Sequence, residues 1–161
     1  LPISEMNQRA KCFCFGDSWG AGAELAVDQL PFIHWLAKDL DMTVANHSEN
    51  GMSFGVILHT LVSKLSSITA QDIVIVIVPP DIRWYDQDHR GFFSLITGDK
   101  RDYKRFLKNK TIEWFTYHHA LFVYTAQKIL DDIGCRYVLA HNYGQIAEYK
   151  KYNLKIKLVY Y

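Results

Sequence analysis

Cysteine and proline are scarce in this chain, no one sign of charge dominates, and no hydrophobic run is long enough to cross a bilayer. The 161 residues include three cysteines and four prolines. Cys12 and Cys14 stand two apart in a strand-like run, so they project from one face without facing each other, and Cys135 is left over. A disulfide framework is not expected. No CxxC or Cys/His spacing suggests zinc, and free thiols slightly favour a reducing compartment such as the cytoplasm. Eighteen Lys+Arg against 17 Asp+Glu leave +1, so no global field draws in nucleic acid. No stretch approaches the roughly 18 apolar residues of a membrane span. The amino-terminal residues 1–5 have neither the basic nor the apolar part of a signal peptide. They also lack an initiating Met, which leaves a processed leader or a fragment boundary open. What is present, 49% hydrophobic and 14% aromatic residues, excludes disorder for most of the chain. A chain of this length buries about 70% of its unfolded surface, enough for one domain over residues 1–161.

Five apolar runs read as strands: 11–15, 42–46, 73–78, 136–140 and 154–160. The third is six consecutive β-branched residues, Ile73 to Val78, ended by Pro79 and Pro80. A run with no polar alternation suits a central strand covered on both faces. The fifth alternates Lys with apolar residues at its start, as an edge strand does. Residues 31–40, 53–65 and 112–133 carry apolar side chains at helical spacing, with Pro31 at the first start and Gly134 at the last stop. Strand and helix alternate, which predicts an α/β fold with a parallel, doubly wound sheet. Residues 84–110 break the rhythm and are expected to form one long loop or lid. That segment holds a basic cluster (Lys100, Arg101, Lys104, Arg105, Lys108 and Lys110), read as a solvated face or as a surface for an anionic ligand.

Gly16-Asp17-Ser18-Trp19-Gly20-Ala21-Gly22 directly follows the first strand. Open α/β sheets bind ligands beyond the carboxyl ends of their strands, so the Ser18 hydroxyl arrives where such folds do chemistry. The glycines permit a tight turn and the close approach of a ligand. No Gly-Lys-Ser/Thr ending is present, and the third glycine of a dinucleotide fingerprint is missing. The plainer reading has Asp17 and Ser18 merely capping the next turn.

Phe15-Gly16-Asp17-Ser18-Trp19-Gly20 resembles the first block of the SGNH (GDSL-type) hydrolases, esterases and lipases with a flavodoxin-like three-layer fold. Asn46-His47-Ser48-Glu49-Asn50-Gly51 resembles their second block, an Asn with a Gly five residues later. The resemblance implies a five-stranded parallel sheet of order 2-1-3-4-5. It makes Ser18 the nucleophile and Asp17 the residue that shapes its turn. The backbone N–H groups of Ser18 and Gly51 become oxyanion donors, each worth about 3–4 kcal/mol in a transition state. It calls for no cofactor and no metal. Without it, Gly51 reads as a strand-to-helix turn glycine.

Two later blocks depart from the pattern. The family places Gly-x-Asn-Asp after the third strand, whereas Val78-Pro79-Pro80-Asp81 puts Pro80 in the Asn position, with no donor to offer. Arg83 is a replacement donor, or else a surface ion-pair partner of Asp81 or Asp86. The terminal Asp-x-x-His has no counterpart before Tyr161. The expectation is a chain that ends before that block, or a different base. His141, at the carboxyl end of the fourth strand, stands first for that role and His47 second. His34, His59, His118 and His119 read as helix residues, and His89 as a loop residue.

The sequence therefore predicts a serine ester hydrolase working through an acyl-enzyme on Ser18. Its substrate is a small-molecule, carbohydrate or lipid ester. Trp19, Trp84, Tyr85, Phe92 and Phe93 line its pocket or pack beneath the loop. Two alternatives stand beside it. One is an SGNH-fold binding or structural module without catalysis, which Pro80 and the missing His favour. The other is an unrelated flavodoxin-like signalling or ligand-binding domain, whose acidic cluster would have only Asp17 and Asp81 to draw on.

Overall fold

Strand β3 (Ile73–Val78) sends its alternate side chains into two different cores. This is seen in the computed structural model, which describes residues 9–79, 83–86, 91–94, 111–141 and 158–160. Val74, Val76 and Val78 join Phe13 and Phe15 of β1 (Lys11–Phe15) and Leu139 of β6 (Arg136–His141). Ile75 and Ile77 join Cys12 and Cys14 on the opposite face. The strand period of two makes this division, and a strand covered on both faces needs no polar side at all. All three cysteines are buried and free.

Helices α3 (Phe54–Ser63) and α4 (Ile112–Ile133) cover the larger core, through Phe54, Ile57 and Leu61 and through Val123, Ala126 and Leu130. Helix α2 (Phe32–Asp39) covers the smaller one through Ile33 and Ala37. The Ser53 side chain caps α3 by accepting from the Val56 N–H, and Thr111 caps α4 by accepting from the Trp114 N–H at 3.2 Å. Helix α4 ends at Gly134, whose φ of 74° is one that glycine adopts without cost.

The main sheet runs β2 (Thr43–Asn46), β1, β3, β6, β7 (Leu158–Tyr160), with every pairing parallel. This is the predicted 2-1-3-4-5 order, and β1 and β3 flank the point where chain direction across the sheet reverses. Right-handed crossovers then explain the layers. The step from β1 to β2 puts α2 on one face, and the opposite steps from β2 to β3 and β3 to β6 put α3 and α4 on the other. At the amino edge, buried Asp72 ties the sheet together. Its carboxylate accepts from the Lys11 N–H at 2.6 Å, the Thr69 N–H at 2.7 Å and the Thr69 hydroxyl at 2.9 Å.

The segment expected as one long loop contains two strands. β4 (Arg83–Asp86) and β5 (Gly91–Ser94) pair antiparallel, with Trp84 opposite Phe93 and Tyr85 opposite Phe92. Aromatic residues favour such a ladder, which the charged residues between the two runs obscured in the sequence. Pro80, Asp81, His89, the basic cluster and residues 154–157 of the fifth predicted strand lie outside the described residues. Among the described residues no helix is long and apolar enough to cross a membrane.

Candidate active site

The chain leaves β1 at Gly16, where a Cβ would stand 2.8 Å from Cβ of Ile77. Only glycine fits that close a pass against β3. Asp17 follows, fully buried. Its carboxylate accepts from the Trp19 N–H at 3.2 Å, and its carbonyl accepts from the Ala21 N–H at 3.0 Å. These bonds wind one turn, α1 (Ser18–Ala21), which Gly22 closes at φ 75°. Asp17 is thus a cap, and by capping it sets Ser18 as the first residue of the turn. Ser18 is half-buried and opens on a pocket of about 240 Å³, with Trp19, Glu24, Leu25 and Phe32 among its walls.

The segment after β2 runs alongside this turn. The His47 N–H donates to the Cys14 carbonyl at 2.8 Å, and the Glu49 N–H donates to the Gly16 carbonyl at 3.2 Å. The Asn46 side-chain amide donates to the Gly20 carbonyl at 2.9 Å, while its oxygen accepts from the Ser48 N–H at 3.0 Å. Ser18 lies two residues beyond one end of the Glu49–Gly16 bond, and Gly51 two residues beyond the other. The φ of 76° at Gly51 is in the left-handed region, so glycine is needed there for the backbone alone. The two sequence blocks therefore meet. Ser48, which the sequence reading passed over, fills the space beside Gly20.

The histidines divide. His47 stacks on Phe15 and Phe13, at 5.3 and 6.1 Å between ring centres. Burial first, and then the charge of Lys64, holds its pKa below the ordinary value. His141 is buried at the end of β6, level with Val78 of β3, and meets the ring of His119 edge-on at 6.3 Å. His119, on α4, donates from Nε2 to the Pro79 carbonyl at 2.9 Å, because a carbonyl can only accept. Burial pushes its pKa down to about 3, with His141 as the second cause. His118 shares a 2.7 Å hydrogen bond with the Trp114 carbonyl. Among the described residues no histidine lines the Ser18 pocket. His141 instead lines a larger apolar groove of about 900 Å³ between α2 and the sheet, which shares Trp19 and Phe32 with that pocket. Arg83 and Trp84 are placed by their backbone in β4. The described residues hold no cluster of His, Cys, Asp or Glu suited to a metal ion.

A three-layer α/β sheet with a serine turn at its switch point is the class these features define. No protein-family model and no curated protein matches the chain in sequence. Solved structures do match. A carbohydrate esterase aligns with 100% of this chain and 60% of its own, at TM-score 0.52 and 11% identity. A psychrotrophic esterase from Pseudoalteromonas sp. aligns with 94% of this chain and 76% of its own, at TM-score 0.49 and 12% identity. A lipase from a goat rumen metagenome aligns with 89% and 70%, at TM-score 0.46 and 14% identity. What the chain shares with the carbohydrate esterase, at 11% identity, is the fold.

Proposed function

We propose that the chain is a serine ester hydrolase of the SGNH type, with Ser18 as its nucleophile. The observation that carries this reading is the Glu49–Gly16 hydrogen bond, which draws the turn bearing Ser18 and the loop bearing Gly51 together at the switch point. In this reading Oγ of Ser18 attacks the ester carbonyl. The charge that develops on the carbonyl oxygen is held by the amides of Ser18 and Gly51. The alcohol leaves with a proton, and water then releases the acid from the acyl-serine. Asp17 keeps the turn in shape. His141, at the carboxyl end of β6 on this edge of the sheet, is the base in this reading. A pocket of about 240 Å³ suits a short acyl group such as acetyl, carried on a carbohydrate or another small alcohol.

A binding module without catalysis is the second reading, and one observation favours it: no described histidine lines the Ser18 pocket. The carbohydrate esterase of similar fold is itself described as having an active site with divergent catalytic and non-catalytic binding functions. A fluorophosphonate probe separates the two. Labelling of the folded chain that disappears in Ser18→Ala supports the hydrolase. A folded chain that takes no label, or a Ser18→Ala variant labelled as strongly as the parent, overturns it.

A further inference from the structure

We propose that Glu24 is a specificity-determining residue, and that the pocket beside Ser18 takes an ester whose small alcohol carries a positive charge. For the ester this rests on the reading of Ser18 as a nucleophile; for the cation it rests on the pocket alone. Trp19, Leu25 and Phe32 give that pocket apolar walls, and Glu24 is the one charged residue among those that line it. At about 240 Å³ it lies below the roughly 300–1,000 Å³ of sites for drug-sized ligands, so what it holds is small.

The backbone holds Glu24 close to the serine. The Ala23 N–H donates to the Ser18 carbonyl at 3.0 Å, and the Leu25 N–H donates to the Gly22 carbonyl at 3.0 Å. Glu24 thus stands between two fastened neighbours, in a turn that continues the one bearing Ser18. Gly22 lets the chain before α2 come close. A Cβ there would stand 2.8 Å from Cγ of Pro31 and 2.9 Å from Cδ1 of Leu25. Pro31 leads directly into Phe32, which so reaches the same pocket as Trp19 and Glu24.

An anionic ligand is repelled here. Residues 15–32 and 46–53, which build the serine turn and the loop beside it, contain Asp17, Glu24, Asp28 and Glu49 but neither Lys nor Arg. The whole chain carries +1, so this excess of one sign is local. Among the described residues no Lys or Arg pairs with Glu24, which leaves its charge to act on a ligand. A sugar ring fits less well than a cation. Its several hydroxyls each need a partner, and polar groups left unmatched weaken binding. Beyond Ser18 and the indole N–H of Trp19, Glu24 is the one polar side chain of the lining, and it offers acceptors alone. A methylated ammonium group asks for no hydrogen bond. Aromatic rings attract it through their faces and the carboxylate attracts it by charge, so both kinds of wall serve it.

The test compares acetylcholine with its uncharged isostere, in which a tert-butyl group replaces the trimethylammonium. With the full chain at low salt, kcat/KM is expected to be about tenfold higher for acetylcholine, as two modest attractions at an exposed site allow. The ratio is expected to shrink as salt rises to about 0.5 M, to fall to about twofold or less in Glu24→Gln, and to invert in Glu24→Lys. A structural fault in these variants lowers both esters together and leaves the ratio where it was. Choline and its tert-butyl counterpart, titrated into Ser18→Ala and followed by NMR, give a readout that needs no hydrolysis. Choline bound more tightly, with the preference lost when Glu24→Gln is added, upholds the inference even if neither ester is cleaved; the failure then belongs to the hydrolase reading. Equal binding of the two alcohols, equal kcat/KM for two cleaved esters, or a preference that survives Glu24→Gln overturns it. So does methyl glucoside bound more tightly than choline, an outcome that assigns the pocket to a carbohydrate.

Discussion

The side-chain amide of Asn46 donates to the carbonyl of Gly20 and so fastens the end of β2 to the turn that bears Ser18. The fit at that junction is close. A Cβ at Gly20 would stand 2.3 Å from Oγ and 2.8 Å from Cβ of Ser48. Gly20→Ala is expected to cost about 1–3 kcal/mol, as overpacking does. Ser48→Gly removes the obstacle and restores part of that loss in the double variant. Urea denaturation of the four chains measures the coupling, and strictly additive effects would show that the two loops do not touch.

Asp72 acts at the other end of the sheet. Its three accepted bonds join the starts of β1 and β3 from a buried position. Asp72→Ala leaves two N–H groups and a hydroxyl without their acceptor, at an expected cost of about 2–4 kcal/mol. A lower denaturation midpoint with an unchanged slope is the signature to look for.

His119 makes stability depend on pH. Unfolded, this histidine takes up a proton below its ordinary pKa of 6.5; folded, it does so only near about 3. The unfolded chain therefore binds the extra proton between those values, and stability falls as pH drops through that window. The slope approaches about 1.4 kcal/mol per pH unit. Between about pH 7 and about pH 5 the parent is expected to lose about 2 kcal/mol more than His119→Gln, which keeps a donor for Pro79 but does not titrate. Parallel pH profiles for the two chains would refute the assignment.

The thiols give a simple check on the two cores. Burial pushes Cys14 up to about 11, against the opposing pull of the Ser48 hydrogen bond, and raises Cys12 and Cys135 as well. Raised values keep the thiols protonated and unreactive near neutral pH. A native sample is expected to show no fast reaction with Ellman's reagent, and a denatured one three equivalents. Fast labelling of the native chain would mean a looser interior than described.

The strands and helices around the site were legible because each obeys one strong local rule. β3 is continuous β-branched sequence, α4 runs from a capping Thr111 to Gly134, and the turn at Ser18 has its glycines in place. The β4–β5 hairpin escaped because its aromatic runs are four residues each, with charged sequence between and beyond them. Of the candidate site, the turn that carries Ser18 and the glycine at position 51 were legible as local backbone features, and the φ of 76° at Gly51 is a backbone requirement. What joins them was not, since the Asn46–Gly20 bond spans 26 residues and depends on the β1–β2 register. His119 could have been placed in the core from its spacing with Phe115, Val123 and Ala126, but its bond to Pro79 crosses from α4 to the end of β3.

Val76 and Ile77 are neighbours that point in opposite directions, one beneath α3 and α4 and the other against Gly16. A single strand is thus the common wall of a distant packing layer and the turn that bears Ser18. A methyl group removed beneath α4 lets β3 settle toward the vacancy, and the backing behind Gly16 settles with it. Substitutions well away from Ser18 can in this way tune its placement by fractions of an ångström while touching nothing near it.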